Sequence, residues 1–188
     1  MTRESNTGIL RFNFASILFH GSTSSFTDID LTKGKNYKDF GKGFYLSVNR
    51  QHSLSLAKSR LRFSLRNLKQ ATRSSYYLYT YAINFQVFRQ LNVKCFTDKL
   101  DWLRFILFCR RHKGVPHAYD IVVGLTADAS TTNKLSLYES DAYGRVGSDS
   151  ALWGLYNALE VERLSIQYCF CTERSKLALQ RIKMEVFR

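Results

Sequence analysis

The sequence predicts an α+β fold in which two small packed β-sheets carry flanking helices, all within one domain over residues 1–188. Three observations lead there. Runs at 16–20, 44–48, 76–85, 92–96, 119–124 and 164–172 have the length and composition of strands, and 50–73 and 99–113 have helical period. The chain has 188 residues, of which 45% are hydrophobic, enough for one core. With one proline, no Gly/Ser-rich linker and no internal repeat, nothing marks a boundary between domains.

Each element has its own local reason. "ILFHGS" is a strand ending in small residues, and the polar stretch 21–42 is a loop leading to a second strand at 44–48; a loop that long in a compact domain is usually functional. Over 50–73, Leu54, Ala57, Leu61, Leu65 and Leu68 recur on one side, with Lys58, Arg62, Arg66, Lys69 and Arg73 elsewhere on the surface, so the helix is amphipathic and basic. "YYLYTYAINF" alternates as a strand and "NVKCF" is a shorter one. Asp98 caps a helix that buries Leu100, Leu103, Ile106 and Leu107, carries Arg104, Arg110 and Arg111 outward or along its last turn, and ends at Gly114 and Pro116. "YDIVVG" is a buried strand, short helices follow around 132–140 and from Ser148 or Asp149 to 160, "LSIQYCFCT" is a strand, and "ERSKLALQRIKM" is a final basic helix.

The balance of 28 Lys+Arg against 15 Asp+Glu gives a net charge of +13, a field that draws polyanions, with nucleic acid the first partner and an acidic protein the competing one. No run is long and apolar enough for a signal peptide or a membrane span, so a cytosolic protein is expected. Cys95, Cys109, Cys169 and Cys171 show no disulfide pattern; the C-x-C of Cys169 and Cys171 would need ligands from elsewhere to hold zinc, so reduced core thiols are expected. The absence of Walker, G-x-G-x-x-G, H-E-x-x-H and G-x-S-x-G patterns removes the commonest nucleotide, zinc and serine-hydrolase readings.

Three residues stand out for chemistry. His20 lies where a strand meets Gly21 and Ser22; its imidazole can bond a ribose hydroxyl while the small residues let a nucleotide approach, against the plainer reading of a structural histidine. Tyr45 follows a glycine turn, either as a stacking platform for a planar heterocycle or as a core aromatic. Gln167 sits in an apolar strand, where a buried amide either closes a hydrogen-bond network or points into a polar pocket. Glu160 and Glu162 straddle a helix end as solvated surface.

These signals recur in order in "LFHGS", "DFGKGFYLS", "LDWLRFIL", "YDIVVGLTADA", "LYES" and "IQYCFCTERSKLAL", and over nearly the whole chain the sequence resembles small bacterial proteins assigned to the ADP-ribosyltransferase superfamily. The resemblance implies an ADP-ribosyltransferase-like fold with a His-Tyr-Gln arrangement around NAD. In it His20 bonds the adenosine-side ribose, Tyr45 stacks on nicotinamide, Gly21 and Ser22 hold the nicotinamide amide, Gly43 and Phe44 line the site, and Gln167 meets the nicotinamide ribose 2'-hydroxyl. Many such transferases carry Glu on this strand; here the position two further along is Cys169, leaving Asp120 or Asp128 as the candidate carboxylate. The resemblance further implies a toxin of a toxin-antitoxin or phage-defence system, with an antitoxin as partner. The basic helix, through Arg62, Arg66, Lys69 and Arg73, the C-terminal Arg174, Lys176, Arg181 and Lys183, and the aromatics Tyr76, Tyr77, Tyr79 and Trp102 tilt the acceptor toward single-stranded RNA. Protein acceptors and a catalytically silent binding module are the alternatives.

Overall fold

The computed structural model describes residues 14–67, 75–96, 98–126, 129–159 and 164–188. The elements run β1 (Ile17–Ser22), β2 (Phe44–Ser47), α1 (Arg50–Asn67), β3 (Tyr76–Ile83), α2 (Phe85–Phe88), β4 (Val93–Cys95), α3 (Lys99–Arg111), β5 (Ile121–Leu125), α4 (Ala129–Glu139), α5 (Asp149–Ala158), β6 (Ile166–Phe170) and β7 (Leu179–Phe187). The α+β class holds. The two-sheet expectation does not: among the described residues the strands form one seven-stranded sheet in the order β4-β5-β6-β2-β1-β3-β7, antiparallel throughout except for β4 beside β5.

The joint between its two halves is nevertheless thin. Six residue pairs register β1 on β3 and four register β2 on β6, but a single pair, Phe19 opposite Ser47, links β1 to β2. One pair is enough to make two expected sheets into one. Leu18, Tyr79 and Tyr81 from one half share a core with Leu46, Ile121, Val123, Tyr168 and Phe170 from the other. On the opposite face α3, α4 and α5 bury Trp102, Leu103, Ile106, Tyr138 and Leu152 against Val122 and Cys169, while α1 sets Ala57 and Leu61 against Tyr76.

The caps follow the sequence. Asp98 accepts from the Asp101 N–H at 2.8 Å to start α3, and Ser148 accepts from the Ala151 N–H at 3.2 Å to start α5. The C-terminal segment is corrected: Arg174–Ala178 is a 3₁₀ turn, and Leu179–Phe187 is the edge strand β7 rather than a helix. Ile182, Met184 and Val186 alternate with Arg181, Lys183 and Glu185, a period of two that suits a strand, and β3 offers the backbone partner. No helix among the described residues is long and apolar enough to cross a membrane.

Candidate functional site

Extending the antiparallel register beyond Phe19 and Ser47 would set Gly21 opposite Tyr45, yet the ladder stops. Among the described residues, the β2-facing edge of β1 at Gly21 and Ser22 therefore lacks a strand partner, although β3 remains paired on the other side. Across this gap reaches His20, whose Nδ1 lies 2.7 Å from the Tyr45 carbonyl oxygen. A carbonyl only accepts, so Nδ1 carries the proton and Nε2 is left with a lone pair. Burial pulls the His20 pKa down to about 4, opposed by the Tyr45 carbonyl and assisted by the positive charge of Arg60, which makes the ring neutral at pH 7. Phe44, with its ring centroid 4.4 Å away, and Phe26 at 5.9 Å fix the ring. No described residue bonds Nε2. Among the described residues the fully enclosed side-chain polar atom without a partner is Trp102 Nε1, so Nε2 is not sealed off.

Strand pleating points Tyr45 and Gln167 to the other face of the sheet, where Tyr45 pairs with Cys169 and Ser47 with Gln167. The structure thus brings His20 against the backbone of Tyr45 but not against its phenol or the Gln167 amide, which lie on the opposite face of the sheet. The Tyr45 hydroxyl donates to the Gly41 carbonyl at 2.7 Å and accepts from the Phe40 N–H at 3.0 Å, locking the turn before β2. Its half-buried ring runs nearly parallel to Phe40 at 16°, and burial, with Cys169 and Asp39 nearby, raises its pKa so that it is a neutral phenol.

Gln167 is held by a carboxylate that the sequence did not single out. Its side-chain nitrogen donates to Asp39 Oδ2 at 3.0 Å and to the Leu125 carbonyl at 3.3 Å. Both partners only accept, which forces the amide orientation and leaves Oε1 as an acceptor without a donor among the described residues. Asp39 is 6% exposed, and Arg110 donates to its Oδ1 through Nε at 2.9 Å and Nη2 at 2.7 Å. Arg110, expected to project outward or line the last turn of α3, turns inward: it follows Leu103, Ile106 and Leu107 on the same helical stripe, a spacing that would have found it. Half-buried Lys38 adds positive charge; burial lowers its pKa, Asp39 opposes this, and Arg60, Lys35 and Arg110 reinforce it.

The remaining expected site residues serve the fold more than an open cleft. A Cβ on Gly21 would lie 2.0 Å from the Ser53 carbonyl oxygen of α1, so glycine permits helix contact there. A Cβ on Gly43 would lie 2.5 Å from Cys169 Sγ. The Ser22 hydroxyl donates to the Ser24 carbonyl at 2.8 Å within its own turn, and Phe44 is buried in the shared core. Asp120 does not reach Gln167: that residue pairs with Gly124, four positions along β5, while Asp120 accepts from the Asn92 N–H at 2.9 Å and the Thr172 hydroxyl at 2.7 Å and pairs with Arg174. Burial opposes its ionisation, but these bonds hold its carboxyl below the usual range. Asp128, Lys69 and Arg73, like Glu160 and Glu162, lie outside the described residues.

The nucleic-acid features are redistributed. Arg62 and Arg66 are exposed on α1. Arg174 pairs with Asp120, Lys176 with Glu173 and the Ile29 carbonyl, and Lys183 with Glu185, while Arg181 donates to the Phe26 and Thr27 carbonyls. Tyr76, Tyr79 and Trp102 are buried and Tyr77 half-buried, which corrects the expectation that they present rings to bases.

In comparison with known proteins, the model of a family described as "Protein of unknown function (DUF3990)" matches residues 16–181. No curated protein matches the chain, and no solved structure matches it. The matched stretch runs from the residue before β1 into β7 and includes both sides of the β1–β2 gap, and the chain belongs to the DUF3990 family of proteins of unknown function.

Proposed function

We propose that this chain is an NAD-dependent ADP-ribosyltransferase that transfers ADP-ribose to a nucleic-acid acceptor, a base in single-stranded RNA, and acts as a toxin restrained by an antitoxin. The observation that carries the reading is His20: a neutral imidazole clamped through Nδ1–H, with Nε2 free to accept from a ribose hydroxyl at the edge of an unpaired strand gap. The open backbone edge of Gly21 and Ser22 suits the donor and acceptor of a carboxamide. In this reading the dinucleotide threads the gap to the opposite face of the sheet, where the ring of Tyr45 forms a wall for nicotinamide and Gln167 Oε1 accepts from the nicotinamide ribose 2'-hydroxyl. Lys38 and Arg60 supply positive charge for the pyrophosphate.

The chemistry asks little of acid or base groups. Nicotinamide leaves a positively charged pyridinium as a neutral molecule, through an oxocarbenium-like transition state resembling that of glycoside hydrolysis. The chain's residues need to hold the substrate bent, exclude water and align the acceptor, a contribution of several kcal/mol. Asp39 takes the place of the expected strand carboxylate: it polarises Gln167 from behind, although Arg110 offsets much of its charge.

RNA as acceptor rests on the net charge of +13 and on exposed Arg62 and Arg66. Incubation with labelled NAD and separate RNA, DNA and protein pools tests it: label is expected in RNA, and label confined to protein contradicts the acceptor. A second reading, NAD binding without transfer, is favoured by the neutralised Asp39 and is marked by NAD uptake with no release of nicotinamide.

A further inference from the structure

α1 lies over the face of the sheet that carries Tyr45 and Gln167: Gly21, which the extended register sets in line with Tyr45, meets Ser53 of the helix there. The helix carries Arg50, Lys58, Arg60, Arg62 and Arg66 and no acidic residue. Arg50 pairs with Glu185 at 3.1 Å, and the other four cations are exposed. Among them stands Phe63, 70% exposed, three residues from both Arg60 and Arg66 and so beside them on the helix surface. A ring this exposed adds little to the core, which takes Ala57 and Leu61 from the buried side of α1.

A second ring stands on the loop before β2. Tyr37, 54% exposed, has a φ of 57°, in the left-handed region that a bulky side chain rarely takes. Its neighbours hold it there: Asn36 Oδ1 accepts from the Gly114 N–H at 3.1 Å, and Asp39 is clamped by Arg110. The fold therefore sustains a strained backbone whose result is an aromatic ring presented to solvent, as at ligand clamps. Lys38 follows directly. Burial is the main cause that lowers the pKa of both His20 and Lys38, and the charge of Arg60 adds to it in each, which sets its guanidinium within reach of the two. Arg60 thus links the outer surface of α1 to the loop whose Asp39 holds Gln167.

We propose that Phe63 and Tyr37 are base-stacking platforms for a single-stranded RNA whose phosphates follow Arg66, Arg60 and Lys38 toward Gln167. The inference rests on the RNA acceptor of the proposed function and not on its NAD chemistry. Every base offers a planar face to a ring, and arginine guanidinium groups beside the ring meet phosphate or extend the stack. In a duplex those faces are covered by neighbouring pairs, so isolated rings select a single strand. An anionic membrane competes for a basic helix with exposed apolar residues, but it needs one continuous apolar stripe. Leu56 and Phe63, seven residues apart, lie within about 20° of each other around the helix, whereas exposed Leu65 is turned about 160° from Phe63, with Arg62 and Arg66 on the solvent side between them.

The test is fluorescence anisotropy of a labelled oligoadenosine RNA of about twelve nucleotides, titrated with the folded chain in the absence of NAD. Phe63→Leu keeps an apolar surface and Tyr37→Asn keeps a residue that tolerates the left-handed backbone; each should weaken binding about fivefold or more with the salt slope unchanged. Phe63→Trp should retain wild-type affinity. Arg60→Ala should instead lower the salt slope by about 0.7. Wild-type affinity in either Phe63→Leu or Tyr37→Asn, the same ring dependence with a duplex, tighter binding of DNA of the same sequence, or binding of phosphatidylserine vesicles with none of RNA overturns the proposal. Because no NAD is present, the result is independent of whether His20 binds the dinucleotide.

Discussion

His20 makes the residue-scale argument measurable. Its folded pKa of about 4 lies below the ordinary histidine value of 6.5, so between those values the unfolded chain binds the proton and the folded chain does not. Stability is therefore greatest above about pH 6.5, falls as pH drops through that value, and has lost most of its His20 share, about 3 kcal/mol, by about pH 4. Urea unfolding at pH 7 and 4.5 should show that loss in the wild type and a smaller one in His20→Gln. Arg110 gives a second test. Arg110→Ala removes the guanidinium from the buried Asp39 carboxylate and should cost about 3 kcal/mol, while Arg110→Met combined with Asp39→Asn should cost clearly less than the sum of the single changes in a double-mutant cycle. The sequence made His20, Tyr45 and Gln167 visible because a polar or aromatic side chain beside glycines or within an apolar strand is locally out of pattern. Asp39 stayed hidden because a single acid in a polar loop has no period; only the fold shows that it meets Gln167, far along the chain.

At the scale of elements, β1, β2, β3, α3 and β6 were legible because burial on one face writes a period into the sequence, and Asp98 and Ser148 mark their helix starts by satisfying free N–H groups. The final segment was misread because basic residues among apolar ones fit either period over a short window, and the choice was made by β3, whose open edge needed a partner. That choice has a consequence for the loop before β2. Arg181 on β7 and Lys176 in the turn before it donate to the Phe26, Thr27 and Ile29 carbonyls, tying that loop to the sheet edge beside His20. Arg181→Ala should accelerate amide hydrogen exchange over residues 26–31 several-fold with little change at β5 and β6. Gly21→Ala belongs to this scale as well: a methyl group at 2.0 Å from the Ser53 carbonyl must push α1 off β1, and thermal unfolding should register a loss of about 2 kcal/mol or more.

For the whole molecule, a net charge of +13 was plain from composition, but the placement of that charge was not. Arg174, Lys176, Arg181 and Lys183 form ion pairs or backbone contacts within the fold, so the field available to a polyanion comes in larger share from α1. If α1 carries RNA, the Arg62→Ala, Arg66→Ala double variant should lower the salt dependence of RNA binding by a slope of about 1.4, near 0.7 for each single-strand phosphate deprived of its arginine. The single residue pair between β1 and β2 is a property of the same scale: two halves that share a core but barely share a ladder leave a strand edge open, and local sequence patterns do not report where a ladder stops.

The central claim is that this open edge, with the His20 imidazole spanning it, binds NAD. Calorimetric titration of NAD into the wild-type chain and into His20→Ala at pH 7.5 tests it most directly. The account predicts saturable one-to-one binding to the wild type and affinity weaker by roughly tenfold or more in His20→Ala, the loss of a hydrogen bond to a partly buried acceptor. No uptake of NAD by the folded wild type, or equal affinity in both proteins, contradicts it.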